Sequence, residues 1–518
     1  MFSLLSSSVK VYNRKAGHST YSNVHVFFYM MVLFLYVISW ILEECIMVTT
    51  VQSTFRQEAL ATLEEANNVN HAVLISYSRR VDDLDPLAFF QSGEADFLGE
   101  RFFWSDPESQ MIFSGLGRAA VIKSSEQGKE RFNLVHQEWE QLKQHMFHFH
   151  DEKELKQAAV GPLLFGGFSF DPYEEKARHW EAFGEAHFFV PSMMLTVSKE
   201  GTFLTINEWN EVDGNVHQLI QELEQKASNF DALPVRNHGQ AELVHMEELD
   251  VQEWMKAIHE ATEHIRVNEY EKVVLAREVL LHYKNQIELA PLLAELLKHQ
   301  TTSYVFAIEQ GRQAFVGATP ERLVKKSGGE VFSSCLAGSI VRGQDEVEDQ
   351  ALGEELLHDE KNLIEHQIVV NMIEQAFEAN CHHVHKPNQP SLYKTKNIQH
   401  LFTPIVGEIK SSCSLFSLIE QLHPTPALGG YPKEKAVEVI REIEPLKRGW
   451  YAAPVGWIDS KDNGEFAVAI RSGLIEEDQV RLFAGCGIVE DSLAKQEYEE
   501  TQVKLRPMLS ALGGRPIE

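Results

Sequence analysis

Apolar runs of strand length, separated by short polar breaks, dominate the chain from residue 71 onward, and they do not alternate regularly with helices. Residues 71–77 (HAVLISY), 102–104, 111–115 and 119–122 predict successive strands. Residues 163–170 (LLFGGFSF) add a strand whose adjacent glycines suggest a bulge or a close backbone approach. Residues 188–195 and 202–207 form another strand pair. Helical spacing marks 51–67, with Phe55, Leu60 and Leu63, then 133–145, 216–230 and 253–267. Strands and helices mixed without a β-α-β rhythm favour an α+β fold over a doubly wound sheet.

The 518 residues are enough for one large core or two smaller ones. Residues 231–250 are polar and hold Pro234, Asn237, His238 and Gly239, which predicts a linker between an N-terminal part (47–250) and a C-terminal region (251–512). A net charge of −29 argues against a nucleic-acid partner, whose phosphates demand clustered Lys and Arg. A small anionic ligand needs only a few local cations and stays open. The five cysteines are scattered, odd in number and free of Cys-x-x-Cys, which predicts a reducing compartment, hence the cytoplasm.

Residues 1–46 differ from the rest. The run 26–42 (VFFYMMVLFLYVISWIL) approaches the length of a membrane span, with Lys10, Arg14 and Lys15 before it and Glu43 and Glu44 after it. One reading is an anchor, the only segment that would bring membrane contact. The other is that translation begins at Met47, after which an amphipathic start follows at once.

Several segments carry residues suited to chemistry. In 271–277 (EKVVLAR), Lys272 shares a strand face with Val274 and Ala276. A lysine drawn into an apolar pocket loses proton affinity and becomes a general base, whereas one at a strand end can snorkel to solvent. In 314–323 (AFVGATPERL), Pro320 fits the first turn of a helix. Glu321 is then either a half-buried acid or a helix N-terminal carboxylate favoured by the macrodipole. A helix is expected over 354–377, with Glu365 inside a stripe of Ile364, Ile368 and Met372; an inward carboxylate needs a cation, either a metal or a salt-bridge partner. A last helix over 492–509 puts Glu497, Glu500 and Lys504 on one face, as a solvated trio or as a site for a cation and an anionic group.

Before it, 482–489 (LFAGCGIV) places Gly485 and Gly487 in a strand, where amides can approach a ligand. Residues 465–475 (EFAVAIRSGLI) read as one buried strand interrupted by Arg471, which either points inward, suited to gripping a carboxylate, or points outward at an edge. Residues 448–451 (RGWY) offer the Tyr451 hydroxyl. Cys381, His382, His383 and His385 lack a zinc spacing, and His423-Pro424 marks a turn.

Together these segments resemble the chorismate-utilising enzymes. EKVVLAR, GATPERL, CLAGS, EKNLIEHQIVV, HPTPALGG, RGWYAAPVGW, AVAIRSGL, FAGCGIVEDS and EYEETQVKL follow in family order from Glu271 to Leu505. The chain is most similar to the isochorismate synthases of bacterial menaquinone biosynthesis, from about Met47 to its end. The resemblance implies two large stacked antiparallel sheets with helices outside, the N-terminal part sharing the sandwich, and a deep cleft. It implies Mg²⁺ held by Glu365 and Glu500, with Glu497 in the same shell, and chorismate as substrate. It implies Lys272 as the water-activating base and Glu321 as the acid at the C4 hydroxyl. Substrate contacts would come from Tyr451, Arg471, Lys504, the amides of Gly485 and Gly487, His400, Thr425, and Gly338 with Ser339, the latter standing where many relatives carry threonine.

Ala337 stands where aminating relatives carry a nucleophilic lysine, and Lys272 is kept where ammonia-using relatives lack a base. Water attack at C2 is therefore expected, without an amidotransferase subunit. The alternatives are a salicylate synthase or a siderophore-pathway isochorismate synthase. A membrane-anchored, non-catalytic scaffold would require every motif to be accidental.

Overall fold

A computed structural model describes residues 72–514 apart from short breaks at 82–83, 125–127, 129, 151–158, 211–215, 229–241 and 395–397. The apolar run 26–42, the choice between Met1 and Met47, and the helix expected over 51–67 lie outside the described residues. Among the described residues no helix is long and apolar enough to cross a membrane.

The strand-length runs pair into two sheets. The larger runs from an edge strand, Leu243–Glu248, through strands of the C-terminal region to Tyr304–Gln310. It continues through Arg101–Ser105, Met111–Leu116, Met193–Ser198, Gly201–Asn210, Val73–Val81 and Met146–His150. Only the last of these pairings is parallel. The second sheet likewise mixes strands from both sides of residue 250, with Pro454–Asp459 beside Leu163–Phe168.

The strands that frame the site are β1 (Lys272–Tyr283), β2 (Gln313–Thr319), β3 (Arg322–Ser327), β4 (Glu330–Val341), β5 (Ile398–Ile409), β6 (Gly464–Val468), β7 (Ser472–Glu476) and β8 (Gln479–Ile488). The helices are α1 (Glu360–Asn380) and α2 (Ala494–Ala511). In the large sheet the local order is β1-β8-β7-β2; in the second it is β5-β4-β3-β6.

Inward-facing aromatics fill the space between the sheets. Phe102 stacks on Phe165 at 4.2 Å between ring centroids, and Phe113 meets Trp457 at 5.0 Å. Each pair joins one sheet to the other, so the core is a single interdigitated layer. A second apolar cluster lies where Leu289–His299 and α2 cover the large sheet, with Leu293, Leu296, Leu505 and Leu509 fully buried.

Residues 188–195, expected as one strand, divide between Ala186–Val190 in the second sheet and Met193–Ser198 in the large one, and four further expectations from sequence need correction. Residues 243–248, expected within a linker, form an edge strand against β1; none of its side chains is fully buried and its apolar residues do not alternate. Residues 354–377 are not one helix: Asp359 adopts extended backbone, ends a helix at His358 and caps α1 through a 2.7 Å bond to the Asn362 amide. The buried stripe of α1 is His366, Val369, Val370, Ile373, Ala376 and Phe377, while Ile364 is exposed. Pro320 starts no helix, because β3 follows within two residues.

The fourth correction concerns 465–475. It is two strands, β6 and β7, belonging to different sheets. Arg471 takes the left-handed conformation, φ +50°, at the passage between them.

Candidate active site

The chain changes sheets twice near the same place. It leaves the large sheet at Thr319 and enters the second at Arg322, and it makes the reverse passage between Val468 and Ser472. Glu321 sits on the first passage and Arg471 on the second. The passages are bonded to each other, the Val468 amide donating to the Glu321 carbonyl at 3.0 Å and the Ala318 amide to the Arg471 carbonyl at 3.0 Å. The start of β1 and the end of β8 lie at this same end of the sheet, with Val273 opposite Ile488.

Strand β8 is paired with β1 along its length, but its pairing with β7 stops at Leu482 opposite Gly473. Residues 483–488 therefore present one edge of backbone without a strand partner. Gly485 and Gly487 leave room there. A Cβ on Gly487 would lie 2.8 Å from Lys272 Cε and 3.9 Å from Glu365 Oε1, and one on Gly485 would lie 3.4 Å from the Tyr451 hydroxyl. Larger residues would fill the space these groups share.

Lys272, 4% exposed, directs its Nζ at Glu365 on α1 and forms an ion pair with it. Burial works to raise the Glu365 carboxyl, but Lys272 more than offsets this and leaves it below its ordinary value. On α2, Lys504 pairs with Glu500 at 2.6 Å and also donates to the Gly485 carbonyl at 2.9 Å. This is the i, i+4 relationship visible in the sequence. Burial raises Glu497, with the Glu500 charge adding to the effect.

Glu321 is half-buried, and loss of hydration pushes its carboxyl up to about 7 against the pull of Lys504, Lys272 and Arg471. The charges of all three act on it. Burial also holds His400 down at about 4, with Arg471 and Lys504 adding to the effect, so its ring is neutral at pH 7. The ring shares a 2.6 Å hydrogen bond with the Ser339 hydroxyl across the β4–β5 pair. A register shift between Leu336 and Ser339 marks a bulge there, with Gly338 at φ +81° against Leu401 and Asn362. Tyr451 is buried, stacks near Phe483 at 5.3 Å, and has its phenol raised by burial. Thr425 is buried, and its hydroxyl has no partner among the described residues.

Every site residue expected from sequence therefore falls on this end of the molecule or on a segment bonded to it. The loop of Thr425 is tied to β1 by the Val274 amide donating to the Gly429 carbonyl at 2.9 Å. By contrast, Cys381–His385 is an edge strand with His382, His383 and His385 turned outward. Sequence reasoning passed over His366, whose Nδ1 donates to the Ala337 carbonyl at 2.9 Å while Nε2 accepts from Thr403 at 2.8 Å. It fixes α1, and so Glu365, against the bulge; its signal was a histidine spaced with the buried stripe of that helix.

The donor set suits a hard divalent cation. Glu365, Glu497 and Glu500 offer only carboxylate oxygens. In the structure lysines balance two of them, and no three potential ligands close on one point among the described residues. Ligands drawn from two separate helices leave room for substrate oxygens to complete such a shell.

Residues 59–513 match the family profile described as chorismate binding enzyme. The chain is 58% identical to the isochorismate synthase MenF of Bacillus subtilis, over 90% of this chain and 99% of that protein. It is 33% identical to the salicylate biosynthesis isochorismate synthase of Pseudomonas aeruginosa, over 87% and 93%. Its fold is that of MenF, the menaquinone-specific isochorismate synthase of Escherichia coli, with a TM-score of 0.70 and 23% identity over 88% of this chain and all of that one. Two stacked antiparallel sheets, a shared end bearing the expected acid, base and carboxylates, and a match along nearly the whole described length lead to one conclusion: the chain belongs to the chorismate-binding enzymes.

Proposed function

We propose that the protein is an Mg²⁺-dependent isochorismate synthase acting in the cytoplasm for menaquinone biosynthesis. Identity of 58% over nearly the full length of a protein bearing that activity in its name supports the reading. The geometric observation that carries it is the convergence of Lys272, Glu365, Lys504 and Tyr451 on the glycine-opened edge at Gly485 and Gly487, beside the passage that bears Glu321.

Lys272 serves as the base that takes a proton from water, whose oxygen bonds to C2 of chorismate. The ring double bonds shift, and the C4 hydroxyl leaves as water with the proton from Glu321. Returning the proton from lysine to glutamate resets both groups, so the net change is an isomerisation. Arg471, Tyr451, Lys504 and the amides about Gly485 and Gly487 grip the carboxylates. His400, Ser339, Gly338 and Thr425 line the rest of the pocket. Glu365 and Glu500 would hold Mg²⁺, with Glu497 beside them; when bound, it neutralises the substrate carboxylate and fixes its orientation. Ala337 supplies no amine to attack the ring, and with water instead of ammonia as the nucleophile no amidotransferase partner is needed.

Chromatography of products from chorismate with and without Mg²⁺ tests this reading. Isochorismate formed only with the ion is expected. Unchanged chorismate would overturn the reading, and salicylate with pyruvate would move the protein to a neighbouring activity.

A further inference from the structure

Strand β1 has an incomplete outer edge. Leu243–Glu248 pairs with it from Val279 onward, and Gly430–Tyr431 pairs with Lys272 and Val273. Between these partners, Val274 and Ala276 face no strand. Two charged side chains take that place. The Ala276 amide donates to Glu444 Oε2 at 2.7 Å, and Arg448 Nη2 donates to the Val274 carbonyl at 2.7 Å.

Glu444 and Arg448 pair with each other through two bonds of 2.7 Å, one turn apart, with side chains 0% and 1% exposed. Arg448 Nη1 reaches the Leu428 carbonyl at 3.0 Å, and the guanidinium lies 4.3 Å over the Phe170 ring. The Arg448 amide donates to Glu174 at 3.0 Å. Arg448 thus ties the strand that begins at Lys272 and the loop of Thr425 to its own turn, where the Tyr451 amide donates to the Arg448 carbonyl at 2.9 Å.

A fully buried ion pair is costly, and apolar residues of similar volume often serve stability as well. What they cannot supply is three directional bonds at fixed angles. We propose that Glu444 and Arg448 are positioning residues, setting the relative placement of Lys272, Thr425 and Tyr451 and thereby substrate binding. This rests on the site reading given above.

The molecule contains its own control. Arg101 and Glu309 form a comparable buried pair, 2.6 Å apart and 6% and 5% exposed, near the β2 hairpin end remote from Thr319. The experiment compares Arg448→Lys with Arg101→Lys for melting temperature, kcat and KM for chorismate, alongside Tyr451→Phe and Thr425→Val. Both lysine variants should lose stability. Arg448→Lys should raise KM per folded molecule by about tenfold or more, the scale of an ångström-level misplacement. Arg101→Lys should stay within about twofold.

Combining Arg448→Lys with Tyr451→Phe should lose less than the product of the single losses, because the arginine acts through the tyrosine. Multiplicative losses, or an Arg448→Lys profile matching that of Arg101→Lys, would overturn the positioning role while leaving the site reading intact. Silent Tyr451→Phe and Thr425→Val variants would overturn the site reading and the proposal with it. If Arg448→Lys does not fold, Glu444→Gln, which retains an acceptor for the Ala276 amide, is read by the same comparison.

Discussion

Glu321 and Arg471 occupy two of the points at which the chain passes between its sheets, and each accepts at its carbonyl an amide of the other passage, from Val468 and Ala318 respectively at 3.0 Å. The side chains leave these points free of the alternation that strands impose, so an acid and a guanidinium can share one pocket. Neither passage is a turn of glycines. Arg471 holds a left-handed φ that costs a non-glycine residue free energy, and such conformations persist where surrounding bonds fix them.

The first prediction concerns pH. Burial raises Glu321 from 4.5 to about 7, so its acid form is half populated near neutrality. The rate should fall as pH rises through about 7, and Glu321→Gln should lose on the order of 10²-fold or more in kcat. Linkage gives a second readout. Between 4.5 and about 7 the folded protein keeps a proton that the unfolded chain has released, so this group's contribution to stability declines as pH rises through that window. Glu321→Gln should therefore melt higher than the parent at pH 8 and gain little at pH 4. Equal melting shifts at both values would sink the assignment.

The second concerns the cation. Glu365→Gln and Glu500→Gln should each weaken Mg²⁺ binding in the presence of chorismate by more than about tenfold, the loss typical of removing even an outer partner of a metal site. Far-UV circular dichroism should stay unchanged, since both side chains are partly exposed, at 33% and 50%. Calorimetric titration with Mg²⁺ checks this; unaltered binding in both variants would remove these glutamates from the ligand set.

The third follows from an unpartnered hydroxyl. Thr425 is buried with its Oγ1 unbonded among the described residues, while its carbonyl accepts from Leu428 and Gly429 at 2.9 Å. Removing an unsatisfied polar atom stabilises the free protein, by about 1 kcal/mol here. Thr425→Val should thus melt higher and bind chorismate more weakly. A variant both less stable and unaltered in KM would show that the hydroxyl serves the fold instead.

Much of this site was legible in sequence because its residues break local patterns. Lys272 opens an apolar run, paired glycines interrupt another, and Glu365 borders a buried helical stripe. What the sequence concealed were the sheet changes. The run 465–475 stays apolar through both β6 and β7, since each is buried in its own sheet, and periodicity cannot report that a chain has changed layers. Likewise, Pro320 suits a helix start and a strand-to-strand passage equally well. The edge strand Leu243–Glu248 was hidden for the opposite reason: none of its side chains is fully buried, and its apolar contacts come only from Leu243 and Met246, so its backbone bonds to β1 are its main signature.

The fourth prediction tests whether the space around Gly487 is functional. Its backbone needs no left-handed φ, so alanine meets no conformational penalty there. The added methyl carbon would lie 2.8 Å from Lys272 Cε and 3.2 Å from Nζ, both on a flexible side chain that can swing aside. Gly487→Ala should therefore fold and melt close to the parent while displacing the amine by a fraction of an ångström to an ångström. Displacement on that scale can cost on the order of 10²-fold when it separates a base from its water. Lys272→Arg should give a matching loss by a different route, keeping a cation opposite Glu365 but replacing the amine with a guanidinium that stays protonated. If both substitutions act on the same proton transfer, the double variant should be hardly slower than either single one. Losses that multiply would place Gly487 in substrate binding and separate it from the base.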